Sequence, residues 1–195
     1  MRWVVLFVLI AGAIVSFAPI GISMAAVALD DPMDHVAQAR IYADEGKPEK
    51  AKRHLLTAAK ALSSAKPPRQ FELALTRALL GDIYRLQGNF GRSIGEYEAA
   101  DRILVRLEEG ARGKNKSLVM RHRGRIANDA GLAMAGLGDH HAAITKFHKS
   151  ISIKTVEFPE GDIAFAPTYG NIAASLFQTH NYRAASGYFK KFIAI

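Results

Sequence analysis

The chain repeats itself, and that constrains its fold more than any other feature. Four segments align on a turn residue: 37–62 on Gly46, 78–104 on Gly88, 129–153 on Gly138 and 171–195 on His180, at spacings of 42, 50 and 42 residues. Each segment has an apolar helix face, then the turn. A small residue follows five positions on (Ala51, Ser93, Ala143, Ala185), and a large one four later (Leu55, Tyr97, Phe147, Phe189). Residues four apart share a helix face. The small residue lets two antiparallel helices approach, and the large one fills the space between them. Glycine at the turn can take positive φ and end a helix. Asn89 and Asp139, just after it, are good caps for the next helix. His180 in place of glycine predicts a looser last turn.

No run alternates with period two, so no strand is expected. Pro67-Pro68 and Phe158-Pro159-Glu160-Gly161 break the chain between units. These signals predict eight helices, over about 32–45, 48–64, 69–87, 90–109, 117–137, 140–154, 162–179 and 182–194. One pair cannot bury its own face, but stacked pairs make one continuous core. Tyr97 and Phe147 are expected inside it.

The pattern resembles that of tetratricopeptide repeats. Leu80-Gly81-x-x-Tyr84, Gly88, Phe90, Tyr97 and Ala100 match it in the second unit. Gly131, Gly138, Ala143 and Phe147 match in the third, and Ile172, Ala173, Tyr182, Ala185 and Phe189 in the fourth. The first unit holds Ala39, Tyr42, Gly46, Ala51 and Ala58. A period of 42 and the connector Phe158–Ala164 look like the kinesin-light-chain class. The resemblance covers residues 35–195. It implies an all-α fold, a right-handed superhelical solenoid of antiparallel helix pairs in about four repeats. It also implies a protein or peptide partner held in a concave groove lined by the first helix of each pair. Asn171 before Ile172-Ala173 matches an asparagine that such repeats carry there. Asn128 is a second candidate, and Arg85, Arg125 and Gln178 lie on the same helices.

Residues 1–28 read as a leader. Arg2 precedes an uncharged stretch, residues 3–22, then small residues and Asp30-Asp31. That is the order of a secretory signal, with Ala26-Val27-Ala28 as the cleavage site before Leu29. The stretch is also long enough to anchor the chain in a bilayer. Either way Arg2 stays in the cytoplasm, and a repeat domain over 29–195 faces an extracytoplasmic space, a bacterial periplasm or the exterior. The absence of cysteine excludes disulfides, thiolate zinc sites and a cysteine nucleophile.

Of charged residues, 26 Lys+Arg stand against 18 Asp+Glu, a net charge of +8. Export argues against nucleic acid as the reason for it. Arg112, Lys114, Lys116, Arg121, Arg123 and Arg125 come with no acid between Gly110 and Arg125. This run is a candidate docking patch for an anionic envelope surface or polymer, the alternative to groove binding. Gly110–Ser117 lacks the spacing of a phosphate loop and is expected as a mobile loop between helices. His140, His141 and His148 lack the spacing of a metal site, and no acid pair or nucleophile motif marks an enzyme. No cofactor is expected. In the last helix, Phe189, Phe192 and Ile193 are expected to face inward. Tyr188 and Ile195 are left on an exposed stripe suited to self-association or a partner.

Overall fold

The structure is a computed structural model that describes residues 31–195; the leader assigned to 1–28 lies outside the described residues. Among the described residues eight α-helices run in order: α1 Pro32–Asp44, α2 Pro48–Ser64, α3 Gln70–Leu86, α4 Phe90–Gly110, α5 Gly113–Gly136, α6 His140–Lys154, α7 Ala166–Gln178 and α8 Tyr182–Ile193. Among the described residues there is no strand, and no helix is long and apolar enough to cross a membrane. Each helix packs on its chain neighbours, while the odd-numbered helices only graze one another. The result is a solenoid of four pairs.

The turns follow one design. Gly46, Gly88 and Gly138 take φ of 69°, 71° and 83°. The next N–H bonds back to the carbonyl five residues earlier, Lys47 to Tyr42 at 2.8 Å, Asn89 to Tyr84 at 2.8 Å and Asp139 to Met134 at 3.1 Å. The last turn is not looser. His180 takes φ 61°, and the N–H of Asn181 reaches the carbonyl of Leu176 at 2.9 Å. Histidine tolerates this region better than branched residues do. Asn89, Asp139 and Asn181 accept from the N–H of Arg92, Ala142 and Ala184, capping α4, α6 and α8.

Two boundaries depart from the sequence reading. Residues 113–117 are helical, so only Ala111 and Arg112 join α4 to α5 rather than a mobile loop. The Arg112 guanidinium donates to the carbonyls of Glu109 (3.3 Å) and Ala111 (2.9 Å), satisfying the end of α4. α7 begins at Ala166 instead of 162, after a 3-10 turn over Ile163–Phe165 capped by Asp162. Pro167 lies in its first turn, where a missing N–H costs nothing.

The small-and-large rule holds in three units. Ala51, Ser93, Ala143 and Ala185 are all buried, and so are Leu55, Tyr97 and Phe147. The rings of Tyr97 and Phe147 lie over Gly81 and Gly131 on the first helix of their pair. The aligned positions in the outer units are Ala39 and Ala173. Phe189 is the correction: it is 40% exposed. Tyr97 is also walled by Ile126 and Ala130 of α5, and Phe147 packs with Ile172 of α7. Burial at this register thus needs the following unit's first helix, and no described helix follows α8. Phe192 and Ile193 are exposed as well. Tyr188, expected outside, is half-buried beside His148 and Tyr169, and Ile195 is half-buried too. The apolar stripe exists, but Phe177, Tyr182, Phe189, Phe192 and Ile193 form it.

Candidate functional site

The odd-numbered helices share one face, and four of the sequence-predicted residues converge there. Asn171 on α7 donates through Nδ2 to Oδ1 of Asn128 on α5 at 3.0 Å. Asn128 donates in turn to Oδ1 of Asp129 at 3.3 Å. Arg125, one turn before Asp129, donates to it at 2.9 Å and to Asp82 on α3 at 3.4 Å. Tyr97 reaches in from α4, its hydroxyl donating to Asp82 at 2.6 Å. Arg85 is half-buried on α3, one turn from Asp82, and its buried Nε has no hydrogen-bond partner among the described residues.

Charge is balanced within this cluster. Burial pushes the Asp129 carboxyl up; Arg125 opposes this and Asp82 adds to it. Burial pushes the Tyr97 hydroxyl up, and the Asp82 carboxylate pushes it further. Burial works against the Arg85 cation, but Tyr97, Asp82 and Asp129 outweigh it and keep it charged. Beside the polar cluster, α1 and α3 enclose a largely apolar cleft of about 330 Å³ walled by Ala39, Ala43, Leu79, Ile83 and Leu86, with Arg40, Asp44 and Asp82 as its polar lining. Leu86 is 67% exposed there.

Asn128 is only 8% exposed, so it orients Asn171 rather than offering its own amide to a partner. Arg121 and Gln178 lie away from the cluster. The Arg121 guanidinium sits 5.4 Å from the centre of the Phe158 ring, and Gln178 is exposed at the end of α7. Asp82 and the Tyr97 hydroxyl were missed in the sequence. Asp82 had a signal, an acid one turn before Arg85 on a groove helix; the hydroxyl had none, because Tyr97 reads as core.

The basic run is less basic in space. Arg123 donates to Asp101 at 3.0 Å and also to Glu108, and Lys149 donates to Asp101 at 2.5 Å. Burial pushes the Asp101 carboxyl up, but Lys149 and Arg123 outweigh it and hold it below its usual range. Arg125 is spent on Asp82 and Asp129. The carboxylates absent from the run in sequence arrive from α3, from α4 and, as Asp129, from the next turn of α5. Lys114 and Lys116 have no ion-pair partner among the described residues. No group of three or more metal-ligating side chains is assembled among the described residues.

These paired helices, αL turns and small-over-large contacts are the tetratricopeptide-repeat fold. BtubC (BKLC) from P. vanneervenii shares it, with 16% identity, 83% of this chain covered and a TM-score of 0.69. So does the apo form of RapI, at 16%, 84% and 0.69. The nearly identical TPR-like repeats of a Podosopora anserina kinesin light chain match at 13%, 84% and 0.61. This chain spans 61% of the BtubC chain, 42% of RapI and 74% of the Podosopora protein. No protein-family model and no curated protein matches the chain.

Proposed function

We propose that this chain is an exported interaction scaffold that holds an extended segment of a partner protein across the face of α1, α3, α5 and α7. The observation that carries this reading is the Asn171–Asn128 bond, which the Asp82–Arg125–Asp129 network links to the α1–α3 cleft. It leaves the Asn171 carbonyl oxygen free among the described residues and holds the side chain in one orientation. A fixed amide can bond to a peptide backbone without demanding a sequence. The cleft alongside takes an apolar side chain, and the Asp82–Arg125–Asp129 network supplies polar contacts between the two. Stacked helix pairs present extended surfaces of this kind. The reading places the chain outside the cytoplasm, with the leader cleaved before Leu29 or retained as an anchor over residues 3–22.

The test is photocrosslinking in cells, with the reactive side chain at Leu86 in the cleft or at Arg102, which is exposed on α4. A partner captured from Leu86, absent from Arg102 and lost in Asn171→Ala is the expected result. Equal capture from both positions removes the groove reading. A second reading, attachment to an anionic envelope surface, rests on Lys114 and Lys116, whose charges remain unpaired among the described residues. Such attachment collapses when salt is raised to about 0.5 M, and apolar docking in the cleft does not.

A further inference from the structure

A crevice of about 300 Å³ lies between α1 and α2, away from the Asn128–Asn171 face. His35 and Tyr42 of α1 wall one side; Lys50, Arg53, His54 and Thr57 of α2 wall the other. The α2 residues follow the i, i+3, i+4, i+7 pattern of a single helix face, and no carboxylate is among the walls. His35 and His54 meet with their Nδ1 atoms 3.0 Å apart. That contact is a hydrogen bond only while one ring keeps a proton and the other lacks it.

The repeat itself shows what is missing. Forty-two residues further on, the two positions are Arg77 and Glu96, joined as an ion pair at 2.9 Å. The first unit has imidazoles in both places; Lys50 has a counterpart in Arg92, but Arg53, where the second unit has Gly95, adds a further fixed cation. Lys50 and Arg53 have no ion-pair partner among the described residues; the Lys50 ammonium lies 5.4 Å from the centre of the Tyr42 ring. The nearby Glu49 is engaged elsewhere, with Lys52 at 2.7 Å and the Gln87 amide at 2.6 Å. Asp34 and Asp44 do not line the crevice.

We propose that this crevice binds a phosphate group, which supplies the negative charge that Glu96 supplies in the second unit. Two fixed cations match a dianion, and a metal cation would meet their repulsion. The guanidinium fork, the ammonium, the imidazole N–H groups and the Tyr42 hydroxyl donate from both walls, which suits a tetrahedral oxyanion. Burial, His35 and Arg53 hold the His54 imidazolium down. A dianion among His35, His54, Lys50, Arg53 and Tyr42 reverses that, so a dianion meeting neutral imidazoles is bound with uptake of a proton, and binding strengthens as pH falls from about 8 toward the imidazole range, where phosphate itself begins to gain a proton.

The experiment is calorimetric titration of the full chain with inorganic phosphate at pH about 8, where phosphate is the dianion and the imidazoles are neutral, at constant ionic strength and in two buffers of different ionisation enthalpy. The expected result is saturable binding with proton uptake, weaker by about tenfold or more in Lys50→Ala, Arg53→Ala. A His35→Arg, His54→Glu variant reproduces the ion pair of the second unit and so keeps the fold; it too is expected to lose binding. Glycerol 3-phosphate in place of phosphate identifies the source: tighter binding means a phosphate monoester, equal binding the free ion. No saturable heat with either, or equal affinity in all three proteins, overturns the site. Zinc binding that excludes phosphate makes it a cation site instead and equally overturns it.

Discussion

Phe147 lies so close over Gly131 that a Cβ there would stand 2.5 Å from its Cε1. Tyr97 and Gly81 repeat the relationship at 2.7 Å. Neither ring can retreat, because the next unit closes the far side. Gly131→Ala is therefore expected to destabilise the fold by about 1–3 kcal/mol, as overpacking of a filled core does. Gly95→Ala is the control. Gly95 is an exposed mid-helix residue with nothing within 4 Å of a new Cβ, and alanine should stabilise α4 by about 0.5–1 kcal/mol. Urea unfolding of the two variants should move in opposite directions.

Phe147 and Phe189 hold the same place in their repeats but differ in burial, 0% against 40%. Phe147→Ala should cost about 3–5 kcal/mol. Phe189→Ala should cost less than half of that, since much of the ring is already in water. Equal losses in melting temperature would mean that Phe189 is covered by something that the helices described here do not include.

The face of Phe177, Tyr182, Phe189, Phe192 and Ile193 should make the protein self-associate as its concentration rises. Sedimentation velocity should show the association constant falling sharply in a Phe189→Lys, Phe192→Glu variant. A Tyr188→Lys, Ile195→Glu variant changes half-buried residues and should lose stability before it loses association.

The Asp101 cluster contributes to the acid limb of stability. Its carboxyl is held below the unfolded value, so the folded state binds fewer protons than the unfolded state. The stability it contributes is present above the unfolded pKa and disappears as pH falls through the folded one. Denaturant midpoints measured from pH about 6 down to about 3 should fall less steeply in Asp101→Asn than in the natural protein.

His180 holds φ 61° without the freedom of glycine. His180→Gly should therefore raise stability by up to about 1 kcal/mol, the left-handed penalty less a small entropic loss. Its Nδ1 contact with the Tyr182 hydroxyl, 2.8 Å and exposed, offsets little of that gain. A drop in melting temperature would show that this contact organises the turn.

The helices and turns were legible because they rest on local chemistry. A glycine or histidine at the turn, a cap after it and a small residue five positions on act within a few residues of chain. Much of the site was legible for the same reason: Arg85, Arg125, Asn128 and Asn171 lie on recognisable helix faces. Asp82 joins them only because α3 packs beside α5, and its partner hydroxyl comes from a residue whose ring is core. The basic run misled because the acids that answer it, Asp101 and Glu108, belong to another helix.

The repeat in the amino-acid order thus determined eight helices, their pairing and the register of small against large residues. These follow from backbone conformation and from side chains three to five positions apart, which a linear pattern records. The tertiary structure alone decided which large residues are buried, which cations are free and which imidazoles meet. Phe147 and Phe189 carry the same local signal, and only the helix stacked beyond Phe147 takes it out of water. Arg123 is as basic in sequence as Lys114, but the carboxylates that pair with it belong to α4. His35 and His54 are nineteen residues apart and face each other only because α1 and α2 fold back on Gly46. Burial and electrostatics depend on distance through space, and that distance exists only once the helices have stacked.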